Sequence, residues 1–111
     1  MIDIKKFEEE YGLTKEDLFG LLDQFQQNLS DALPELKSKL ANLDFVNLSL
    51  VAHRHKSPAA SLGLTELNKL LASIELNAKS EQNTELLNNQ IEALEQQLFD
   101  LTPLIEALKK A

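Results

Sequence analysis

Residues 18–43 read LFGLLDQFQQNLSDALPELKSKLANL. Leu18, Leu22, Phe25, Leu29, Ala32, Leu36, Leu40 and Leu43 recur at spacings of three and four, which draws one apolar stripe along a long helix. Pro34 falls inside the stripe and predicts a local bend. A helix with one apolar face must bury it against other helices, so the rest of the chain has to supply them.

Upstream, Thr14 opens the run T-K-E-D, which resembles a capping box with Asp17 in the place usually taken by Glu or Gln. Before it, residues 3–11 predict a short helix stopped by Gly12. Downstream, residues 42–44 form a turn in which Asp44 can cap a third helix ending near Gly63. A fourth helix starts around Thr65 and buries Leu67, Leu71, Ile74 and Ala78, and the polar run 77–83 reads as a loop. The last helix repeats the pattern with Leu87, Ile91, Leu94, Leu98, Leu101, Ile105 and Leu108, and Pro103 lies within it. No β-branched run is long enough for a strand. The expected fold is all-α: an antiparallel four-helix bundle with an additional short N-terminal helix packed at one end. Short connections and wide stripes argue against an extended coiled coil.

Composition bounds the function. The 111 residues suit one domain spanning 1–111, with 43% hydrophobic and 26% charged residues. Without cysteine there is no disulfide framework and no thiolate metal site. No run approaches the roughly 18 apolar residues of a membrane span. The charged N-terminus MIDIKKFEEEYG lacks the apolar region of a signal peptide, so a cytoplasmic protein is expected. A net charge of −7 argues against nucleic acid as a partner.

The chain's two histidines sit together in LVAHRHKSPAASLG, residues 50–63. Phe45, Leu48, Ala52, His55, Ala59 and Leu62 make the apolar stripe of this helix. His53 lies about 130° from the centre of that stripe, and the two rings are about 200° apart, so they cannot chelate one metal. No metal site is expected. His55 reads as a packed, hydrogen-bonded histidine of the interior or its boundary.

His53 faces outward among Val46, Ser49, Leu50, Lys56, Ser57, Ala60 and Ser61. All but Lys56 are small or apolar, and no acid falls between Phe45 and Thr65 although the chain has 18. With no acid nearby in sequence and no G-x-S-x-G, a catalytic triad is unsupported. With no glycine-rich loop, a nucleotide site is unsupported too. What remains is an exposed imidazole whose ring nitrogen offers a lone pair to a phosphoryl group. A non-catalytic helical adaptor that binds a partner helix fits the apolar stripes equally well.

The run AHRHKSPAASLG resembles the signature of histidine-containing phosphotransfer (HPt) domains: Ala-His, a lysine three residues on, a small residue four on, and a glycine ten on. His53, Lys56, Ser57 and Gly63 occupy those positions. The likeness extends from about Leu18 to Glu75, and beyond that only the apolar pattern matches. Three positions depart from the family. His55 replaces the usual apolar residue, Ser57 replaces the usual glycine, and Pro58 lies inside the helix.

The resemblance implies a phosphocarrier of a multistep two-component relay, not an enzyme in its own right, with His53 as the phosphoacceptor through Nε2. Lys56 and Ser57 are then phosphate neighbours, Gly63 is structural, and Val46, Ser49, Leu50, Ala60 and Ser61 form the docking face. The implied partners are the receiver domain of a hybrid sensor kinase and that of a response regulator, which bring the acidic pocket and Mg²⁺. The chain itself needs no cofactor and is expected to be monomeric. Free-standing length and the S-x-A-A-S-x-G run are also similar to single-domain phosphotransfer proteins of bacterial relays, and Met1 favours a whole chain.

Overall fold

In the computed structural model, which describes residues 2–110, every helix but α4 starts where a side chain can take up its first free amides. Asp3 accepts from the Lys6 amide at 3.0 Å and opens α1 (Ile4–Tyr11). Thr14 and Asp17 exchange side-chain-to-backbone bonds at 3.1 and 3.0 Å, a complete capping box, at the start of α2 (Lys15–Ala41). Asp44 accepts from Asn47 ahead of α3 (Phe45–Ser61), followed by α4 (Thr65–Ser80) and α5 (Thr84–Lys110). Among the described residues there is no strand.

Around the bundle α2 neighbours α3 and α5, and α4 closes the ring between them; the diagonal pairs stay apart. Short connections make each neighbour antiparallel to the last. The core is one cluster fed by every helix, with Leu18, Leu22, Leu29, Leu36, Leu48, Leu71, Ile74, Leu87 and Leu94 fully buried. At about 1.5–3 kcal/mol for each such side chain, this burial outweighs any local propensity. The molecule measures 42 × 23 × 18 Å. Helices of 27 residues span about 40 Å, so α2 and α5 set its length, whereas α3 and α4 reach only about 25 Å. The shortfall leaves one end to α1, which buries Phe7 and lies beside the α3–α4 turn.

Two expectations need correction. Leu43 does not extend the α2 stripe: the helix ends at Ala41, and Leu43 is exposed in the turn with φ 55°. The run 77–83 is not all loop, because α4 continues to Ser80. Asn77 is buried there, and its side-chain oxygen accepts from the Asn83 amide at 3.3 Å while its amide donates to Gln90 at 3.1 Å. Polar residues occupy this stretch because they tie the turn down from inside. All three prolines are accommodated within continuous helices.

Candidate functional site

α3 presents different chemistry on its two histidines, as the 200° separation requires. His53 is exposed, with 60% of its side chain accessible, whereas His55 is half-buried. Burial, and then the neighbouring Arg54 charge, hold the His55 pKa below 6.5, partly opposed by Glu35. His55 is therefore mostly neutral at pH 7, and its half-burial accords with its place in the stripe, but among the described residues no protein group hydrogen-bonds its ring.

Sequence reasoning found no acid to orient His53, but the fold supplies one from the next helix. Glu75 of α4 is only 6% exposed, and its Oε2 lies 2.8 Å from His53 Nδ1. Lys56 donates to Glu75 Oε1 at 2.7 Å, and Lys79 donates to Oε2 at 3.0 Å. The Lys56 bond, with those of Lys79 and His53, brings the Glu75 pKa down from 4.5 to about 2 against the opposing cost of burial. The carboxylate is thus ionised and can only accept, which assigns the proton to Nδ1. In a neutral ring the lone pair then belongs to Nε2.

Lys56 is already paired with Glu75. Two ammonium groups on one carboxylate nonetheless leave one positive charge in excess next to His53. Asn68 of α4 adds a further tie, donating to the Lys56 carbonyl at 2.9 Å and fixing the α3–α4 register at the site.

The remaining predicted residues divide by flank. Ser49, placed on the docking face by sequence, is instead buried, and its hydroxyl donates to the Val46 carbonyl at 2.7 Å. It lies about 40° from His53 toward α4, the same side from which Glu75 arrives, so the packing that brings the acid covers Ser49. Val46 (71%), Leu50 (50%), Ser57, Ala60 and Ser61 are exposed. Ala60 and Ser61 are two turns beyond His53 and border the cleft with α1. Leu76, which the sequence reading passed over, is exposed on α4 next to Glu75.

Gly63 takes φ 75° just beyond α3, where its amide and that of Leu64 return to the Ala60 and Ala59 carbonyls. Only the left-handed conformation calls for glycine here, because no atom would obstruct a Cβ. Among the described residues no group of three or more His, Cys, Asp or Glu could hold a metal, and no helix is long and apolar enough to cross a membrane.

The family model of the Hpt domain matches residues 20–109 of the chain. No curated protein matches it, and no solved structure does.

Proposed function

Since the chain belongs to the Hpt domain family, whose members carry out histidine phosphotransfer in phosphorelays, we propose that His53 is its phosphoacceptor and that receiver domains dock over the exposed face of α3. The observation that carries this reading is the 2.8 Å contact between the buried Glu75 carboxylate and Nδ1 of the exposed His53: an ionised carboxylate can only accept, so the proton sits on Nδ1 and the lone pair on Nε2. In the first step Nε2 attacks the phosphorus of a receiver's aspartyl phosphate. An N–P bond forms as the acyl O–P bond breaks, and the aspartate leaves as carboxylate. The ring, now substituted at Nε2 and protonated at Nδ1, carries positive charge that faces Glu75. Lys56 and Lys79 offer their excess charge to the phosphoryl oxygens, with Ser57 one helical turn on leaving room for them. In the second step an aspartate of another receiver takes the phosphoryl group and the N–P bond breaks.

The protein contributes a positioned nucleophile; Mg²⁺ and the acidic pocket come with the receivers. It is a phosphocarrier. Incubation with a phosphorylated receiver tests the assignment. The parent should acquire an acid-labile phosphoryl group at His53, and folded His53→Gln should acquire none. Label persisting in that variant would place the acceptor elsewhere.

A further inference from the structure

α3 has a second flank, turned away from α4. There, between α1, α2 and α3, the surface opens into a groove of about 390 Å³. That volume lies in the ordinary range of small-molecule sites, about 300–1,000 Å³. Its walls are mostly aromatic and aliphatic, among them Tyr11, Leu13 and Leu21, with Gln24, Asn28 and Ser61 between them. Tyr11 remains 49% exposed although its ring packs 5.0 Å from that of Phe7. Close-packed bundles fill such space with their own side chains, and here it stays open.

The groove is also charged in one sense only. Of the chain's 18 acidic residues none lines it, whereas its single arginine, Arg54, does. Glu35 acts on His55 from outside the lining. Among the described residues no carboxylate pairs with Arg54, although six other basic side chains each have an acidic partner. Arg54 stands about 100° around the helix from either histidine, between the His53 face and the groove. A guanidinium offers a planar fork that matches a carboxylate in two parallel hydrogen bonds.

From the apolar walls, the missing acids and the unpaired guanidinium, we infer that this groove binds a small anionic amphiphile: a carboxylate carried on an acyl or aryl body. The body lies along Tyr11, Leu13 and Leu21, the exposed part of the wall, and the carboxylate takes the Arg54 fork at the rim. The site is separate from His53, and its test needs no phosphoryl transfer.

Tyr11 is the only tyrosine and the chain has no tryptophan, so intrinsic emission reports directly on the groove wall. Decanoate, kept below its micellar concentration, is titrated into the unphosphorylated chain and compared with decanamide, which has the same body and no charge. The expected result is a saturable change in Tyr11 emission, with amide NMR shifts at Phe7, Leu21 and Leu62 and none at Leu87. Decanamide should bind about tenfold or more weakly, the worth of a charge-assisted pair. Arg54→Gln, an exposed change expected to leave melting unaltered, should abolish the difference between the two ligands, and Arg54→Lys should restore part of it. Equal binding of decanoate and decanamide by the parent overturns the proposal, as does a lack of saturable binding or shifts confined to other surfaces. Groove signals that respond only to an added receiver domain would make this a protein-docking surface, and the small-molecule reading would fall.

Discussion

Glu75 collects three hydrogen-bonding partners in a position that is almost closed to water. Loss of its charge should therefore be felt twice, in the tautomer of His53 and in acid stability. In Glu75→Ala, nitrogen NMR should show His53 populating the Nε2–H form that the parent suppresses, and phosphoryl acceptance should slow by about tenfold or more. An unchanged tautomer with slower transfer would reduce Glu75 to a structural role. Because its folded pKa of about 2 lies below the ordinary 4.5, the unfolded chain takes up the proton first. The stabilisation is complete above about pH 4.5 and is lost as the pH falls toward 2, and denaturant titrations of Glu75→Gln should lack that loss. The acid was partly legible beforehand. Glu75 follows Leu71 by four and Ile74 by one, inside the buried register of α4, with Lys79 one turn on. What the sequence did not carry was the distance across helices: 22 residues separate His53 from Glu75, and only the packing of α4 on α3 closes that gap.

Helix ends divide into those written locally and those decided by neighbours. Asp3, Thr14 with Asp17, and Asp44 are local signals: each cap is completed within three residues, so the starts of α1, α2 and α3 could be read directly. The end of α4 is the opposite case. Polar residues 77–83 look like loop, yet Asn77 is buried by α5 and serves as the anchor of the turn. Asn77→Ala should strip the Asn83 amide and Gln90 of their partner and cost about 1–2 kcal/mol in denaturant unfolding. A loss below a few tenths of a kcal/mol would show that water replaces the side chain freely. Ser49 failed for a related reason. Helical angle alone placed it among the exposed neighbours of His53, but the close approach of α4 buries that edge of α3.

Three of the exposed apolar side chains stand close to His53. Val46 and Leu50 lie on the His53 side of α3, about 20° and 60° from the imidazole, and Leu76 lies next to Glu75 on α4. Phe99, 76% exposed, sits on α5, diagonally across the bundle from α3. In the proposed relay both steps bring a receiver to Nε2, so one face serves donor and acceptor alike. Leu50→Asp places a charge on that face without entering the core and should leave helicity and melting nearly unchanged. It should slow transfer into His53 and out of it by similar factors, because the same contacts are lost in both encounters. Phe99→Asp makes the same chemical change on the opposite side and should alter neither rate. Paired transfer kinetics with a donor and an acceptor receiver distinguish the outcomes. Slowing in Phe99→Asp but not in Leu50→Asp would move the docking surface to α5. Slowing of only one direction in Leu50→Asp would mean that the two receivers use different faces. Loss of folding in Leu50→Asp would contradict its half-exposed position and return Leu50 to the core.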